Sequence, residues 1–134
     1  MVLKKKSPVK SILQTIAGIF IGAIWVFHGL YSKLLDGIPR HGLIVERILG
    51  EDFARPATIL IGAAEILLGL WAWSGRYRKA NAALQTLAII SMNVLEISLA
   101  PDLLISAPGM AILNLGFLTL VWWWALLKCS PKPA

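Results

Sequence analysis

The stretch ILQTIAGIFIGAIWVFHGLYSKLL, from Ile12 to Leu35, decides the fold. It is apolar for longer than the roughly 20 residues an α-helix needs to cross a hydrocarbon core about 30 Å thick. It follows Lys4, Lys5, Lys6 and Lys10, as a secretory signal would. A cleavable apolar core, however, is shorter and ends at a small-residue site. This one continues through Ile21, Trp25, Val26 and Phe27, and is expected to remain as a first transmembrane span.

Three further runs have the same character: Ala54 to Trp73, Ala80 to Leu99 and Pro108 to Leu127. Pro56 is expected in the first turn of the second span, where no helical hydrogen bond is lost, and Pro101 and Pro108 punctuate the third and fourth. Lipid offers backbone N–H and C=O groups no partner, so only a helix or a closed barrel can span it. Barrel strands alternate over roughly ten residues, and these runs do not. The fold class is therefore all-α, a four-helix transmembrane bundle in one domain, residues 1–134. The composition agrees: 57% of the 134 residues are hydrophobic and 15% are charged, too little polar surface for a soluble domain. The net charge of +6 sits beside apolar runs and forms no basic stripe with interleaved aromatics, which excludes nucleic acid as a partner. Cys129 is the only cysteine, so the chain cannot run dithiol chemistry alone, and at the end of the last span it is read as inert rather than lipidated.

Lys and Arg in short loops set the orientation. Lys4, Lys5, Lys6, Lys10, Arg76, Arg78, Lys79, Lys128 and Lys132 lie toward one side, against Lys33, Arg40, Arg47 and Arg55 toward the other. Both termini are therefore expected inside, in the cytoplasmic (inner) membrane. Trp71, Trp73, Trp122, Trp123 and Trp124 fall near the same inner ends and read as lipid anchors. The connection from Asp36 to Asp52 spaces Leu43, Ile44, Ile48 and Leu49 helically against Arg40, Glu46 and Arg47. It predicts a short amphipathic helix at the outer interface, one that could cap the bundle. The other connections are short, which makes neighbouring helices antiparallel.

An ionisable group inside a span is expensive and therefore informative. The spans contain His28, Lys33, Glu65 and Glu96, with the amides Gln85, Asn93 and Asn114. At about 1.5 Å per residue, all but Gln85 converge on the outer half. Gly18, Gly22, Gly29 and Lys33 share one face of the first span, Gly62, Glu65 and Gly69 one face of the second, and Gln85, Met92 and Glu96 one face of the third. His28 lies off the first of these stripes. Two readings stand side by side for these residues: buried ion pairs and interhelical hydrogen bonds that fix packing, favoured for Gln85 and Asn114, or proton handling and headgroup binding, favoured for Glu65 and His28. His28 and His41 show no metal-ligand spacing, and no metal is expected.

The run Trp25-Val-Phe-His-Gly-Leu-Tyr-Ser-Lys-Leu-Leu35, with Gly62-x-x-Glu65-x-x-x-Gly69, Asn93-x-x-Glu96 and Asn114, resembles the DoxX-like family of small four-helix membrane proteins. The likeness covers about residues 15–127; Tyr31 and Ser32 stand where the family pattern places a Pro beside the Lys. What the resemblance implies is an association with thiosulfate-to-quinone electron transfer and membrane oxidoreductase assemblies, while most DoxX-like members have no established activity. No group in the chain carries electrons, so a redox role means binding a quinone or anchoring an oxidoreductase partner. The leading expectation is an accessory subunit of a redox or stress-related system, without enzymatic activity of its own, that binds a quinone-like or lipid-like headgroup. His28, Lys33, Glu65, Asn93, Glu96 and Asn114 are the candidate site residues. A small proton-coupled exporter and a purely structural subunit are the alternatives, and the glycine seams permit a homodimer in the lipid bilayer.

Overall fold

The computed structural model describes residues 8–127; Lys4, Lys5, Lys6, Lys128, Cys129 and Lys132 lie outside them. Five α-helices are described: α1 (Pro8–Phe27), α2 (Pro39–Leu49), α3 (Glu51–Ser74), α4 (Arg78–Leu99) and α5 (Ala107–Leu126). α1 continues without interruption into a π-helical turn, His28–Leu34. Val9–Leu34, Glu51–Ser74, Arg78–Leu99 and Ala107–Leu126 are long and apolar enough to cross a membrane. Their outward faces are apolar: Leu60, Leu67, Ile112 and Leu113 are each two-thirds or more exposed, as lipid-facing side chains are.

The helices close into a ring in which α1 packs on α3, α3 on α4, α4 on α5 and α5 on α1. Between helices immersed in lipid there is no hydrophobic driving force, so close van der Waals packing must hold them together. α1 and α3 achieve it through two reciprocal glycine pairs. A Cβ on Gly22 would stand 2.8 Å from the Gly69 carbonyl, and one on Gly69 2.7 Å from the Gly22 carbonyl. Gly29 and Gly62 repeat the arrangement seven residues along, running antiparallel. Gly18 departs from the expected stripe: its Cβ would meet the Trp124 indole of α5 at 2.8 Å, so this glycine serves a different neighbour.

The start of α3 and the burial of Trp124 differ from expectation, whereas α5 starts beside Pro108 as expected. α3 begins at Glu51, one turn before Ala54, because Glu51 and Asp52 place negative charge against the helix N-terminus. Pro56 therefore lies inside the helix, not in its first turn. α5 starts at Ala107, where the Ser106 hydroxyl accepts from the Gly109 amide at 3.1 Å, an N-cap that fixes the boundary. Trp124 is not a lipid anchor. It is 3% exposed and joins Ile21, Trp25 and Val121 in the core, because Gly18 leaves room for its ring. Trp71 and Trp122 are partly buried, their indoles donating to the Arg76 carbonyl and the Thr86 hydroxyl. Trp73 and Trp123 remain exposed at 46% and 41%.

Hydrogen bonds identify the two ends of the bundle. At one, Gln14 of α1 and Arg78 at the start of α4 both donate to the Leu127 carbonyl at the foot of α5, which gathers these three helix ends beside the turn that joins α3 to α4. At the other, α2 lies against the π-helical turn, α3, α4 and the 3-10 turn Pro101–Leu103. α2 buries Ile44 and Val45 but leaves Leu43 and Leu49 half exposed, so its apolar stripe is only partly covered. Arg47 of α2 clamps Asp102 through two bonds of 2.7 and 3.1 Å.

Candidate functional site

The polar site begins at the π-helical turn. Leu35 donates to the Leu30 carbonyl five residues back, and Gly37 to Tyr31 six back. The Lys33 and Leu34 carbonyls at the end of the turn accept from the Arg55 guanidinium of α3 at 2.8 and 2.7 Å, with the Asp36 amide also donating to Lys33 at 3.4 Å, which helps to satisfy the helix end. π turns of this kind recur at functional sites. Here the turn holds Lys33 on the glycine seam and buries Ser32 completely.

Helical side chains lean toward the N-terminus of their own helix. In the antiparallel pair α1–α3, Lys33 therefore leans into the bundle while Glu65, deeper on α3, leans up to meet it. The ammonium stands 2.9 Å from Oε1 and 3.0 Å from Oε2 of Glu65, with both side chains under a tenth exposed. A buried pair gains stability only where its remaining hydrogen-bonding capacity is used. A third partner is at hand: the Lys33 Nζ lies 3.3 Å from His41 Nδ1 on α2. The His41 ring in turn stacks on His28, centroids 5.9 Å apart and planes 14° apart. Phe27 packs edge-on against His28 and face-on against Tyr31.

Burial pushes His41 down to about 4, with the Lys33, His28 and Arg40 charges adding to the effect. At neutral pH its ring is therefore uncharged, Nδ1 accepting from Lys33 and Nε2 carrying a proton to donate. Glu96 of α4 is half-buried and lies within electrostatic range of Lys33, Arg40 and Glu65. Ser32 Oγ, fully buried, is without a hydrogen-bond partner among the described residues.

Of the residues singled out by sequence, the structure brings His28, Lys33 and Glu65 together, with Glu96 beside them. Asn93 and Asn114 instead bond each other across α4 and α5 at 2.8 Å. His41 is the residue sequence reasoning passed over by testing it only as a metal ligand. The available signal was its register: His41, Ile44, Val45 and Ile48 share one face of α2, the face that docks.

A second polar network, neutral throughout, lies in the core. The Trp25 indole donates to Gln85 Oε1 at 2.6 Å, the Gln85 amide to Asn81 Oδ1 at 2.5 Å, and the Asn81 amide to the Leu68 carbonyl at 3.3 Å. It ties α1, α4 and α3 with each side chain nearly or fully buried. Asn81 and Trp25 are members that the list of polar residues within the spans does not contain.

Four apolar helices long enough to span a membrane, packed around buried polar groups, define a multi-pass integral membrane protein. The sequence profile of the DoxX-like family matches residues 22–122, from the first glycine pair to the tryptophans of α5, and the chain belongs to that family. Comparison with curated proteins and with solved structures gave no match.

Proposed function

We propose that this protein is an accessory subunit of a membrane redox or stress-related system, and that the cluster beneath α2 receives a quinone-like or lipid-like headgroup. The observation that carries the reading is the shared hydrogen bonding of Lys33, which serves Glu65 within the bundle and His41 on the covering helix at once. α2 is thus bonded to the buried charge rather than merely packed over it. Displacing His41 exposes a donor on Lys33, beside Glu65, Glu96 and the unpartnered Ser32 hydroxyl. Together these offer donors and acceptors to a carbonyl or hydroxyl headgroup, and Phe27, Tyr31 and His28 offer ring faces to its planar part. Electrons for any redox step would come from an oxidoreductase partner. With both termini inside, as the Lys and Arg distribution supports, the site opens on the outer face of the cytoplasmic membrane.

The test is titration of the detergent-solubilised protein with a short-chain quinone and, separately, with short-chain phospholipids, followed by tryptophan fluorescence. Glu65→Gln and His28→Ala should each weaken binding tenfold or more, about 1.4 kcal/mol, with helicity unchanged by circular dichroism. Binding unchanged in both variants would remove the headgroup reading.

A further inference from the structure

The end of the bundle away from α2 holds a groove that the proposed headgroup site does not use. It lies between α1, α3 and the foot of α5, encloses about 270 Å³, and is lined chiefly by Gln14, Thr15, Ile19, Trp73, Arg78 and Trp124. Its walls within the span are apolar or aromatic, with Ile19 and Trp73 half exposed along it. Its rim is polar. The Arg78 guanidinium lies 5.8 Å from the Trp124 ring and donates to the Leu127 carbonyl at 2.8 Å. The Gln14 amide donates to the Trp124 carbonyl at 3.3 Å, and the Trp73 indole bridges to the Ile19 carbonyl at 2.9 Å. These bonds hold the groove's walls at a fixed separation.

Charge decides the occupant. Asp36, Glu46, Glu51, Asp52, Glu65, Glu96 and Asp102 are the seven acidic residues, and none falls in residues 1–35, 66–95 or 103–134. The segments that meet around the groove carry Lys10, Arg76, Arg78 and Lys79 with no Asp or Glu side chain among them. Basic pockets between transmembrane helices select anionic headgroups, and the apolar walls give an acyl chain a bed directly beneath the charge. We infer that the groove is a binding site for one anionic phospholipid, its phosphate at the Arg78 rim and a chain along Ile19 and Trp73. A zwitterionic lipid presents the same chain but adds a cation at a basic rim. Free phosphate lacks the chain.

The experiment is native mass spectrometry of the full chain in detergent, titrated with phosphatidylglycerol, phosphatidylcholine or inorganic phosphate. The wild type should prefer phosphatidylglycerol by fivefold or more, since one basic side chain near the surface contributes about that factor. Arg78→Gln should bring the two lipids close to parity. Thr15→Trp, a substitution at an exposed groove position, should weaken both by filling the space. Inorganic phosphate should neither bind nor compete. Equal affinity for the two lipids in the wild type, a preference left intact by both variants, or competition by phosphate would each overturn the assignment. The Arg78 and Thr15 variants separate this site from the headgroup cluster, whose residues lie at the opposite end.

Discussion

Two buried polar networks occupy the same bundle and are built on opposite principles. The Trp25–Gln85–Asn81 chain is neutral, closes on a backbone carbonyl and lies wholly inside the four spans. The Lys33–Glu65–His41 cluster is charged, and its last member belongs to a helix that crosses nothing. A neutral chain whose donors and acceptors are matched has nothing to gain by opening, and works as interhelical glue. A charged cluster whose outermost partner sits on a separable element can exchange that partner for a ligand.

The contrast is most sharply broken at Lys33. Lys33→Met leaves Glu65 buried without its cation and should cost about 3–5 kcal/mol in equilibrium unfolding from mixed micelles. Lys33→Met combined with Glu65→Leu should recover most of that loss, because the unpaired charge is then gone. Gln85→Leu strands the Trp25 indole and the Asn81 oxygen and should cost about 1–2 kcal/mol, leaving headgroup titrations unchanged.

A smaller effect separates the cover from the bundle. His41 titrates at about 4 with α2 docked, against roughly 6.5 when free. Undocked α2 therefore binds more protons between those values, and docking loses stability as pH falls from about 6.5 through about 4. Hydrogen exchange of residues 39–49, corrected for intrinsic rates, should show protection declining over that window, and His41→Gln should flatten the decline. Asp102 does not confuse the readout, because the hydrogen bonds from Arg47 hold its carboxyl below the usual carboxylate range. Arg47→Ala should produce the smallest change: no measurable loss of bundle stability, and a modest rise in α2 exchange alone. Surface pairs of this kind contribute little.

The four spans were legible in the sequence because hydropathy and helix length are local properties. So was the seam that joins α1 to α3, since Gly22, Gly29, Gly62 and Gly69 repeat at helical spacing and Lys33 and Glu65 lie on the same faces. The π-helical turn was not, because the Arg55 bonds that complete it come from a different helix. The burial of Trp124 was hidden for a similar reason: its position beside Trp122 and Trp123 suggests a belt, and only the space above Gly18 shows that one of the three turns inward. His41 required knowing which face of α2 docks, and Asn81 required knowing that a residue four positions before Gln85 would share its network. Asn81 is an i, i+4 neighbour of Gln85 on α4 and was within reach of helical spacing; the other misses each concern a tertiary partner.

On the proposed function, the charged cluster holds a ligand and the neutral chain holds the bundle. Mass spectrometry of small molecules co-purifying with the wild type, His41→Phe and Gln85→Leu tests it directly, since Phe keeps the ring but not the hydrogen bond to Lys33. A headgroup-bearing molecule retained by wild type and Gln85→Leu and lost from His41→Phe is the expected result; retention in all three, or loss from Gln85→Leu as well, would contradict it.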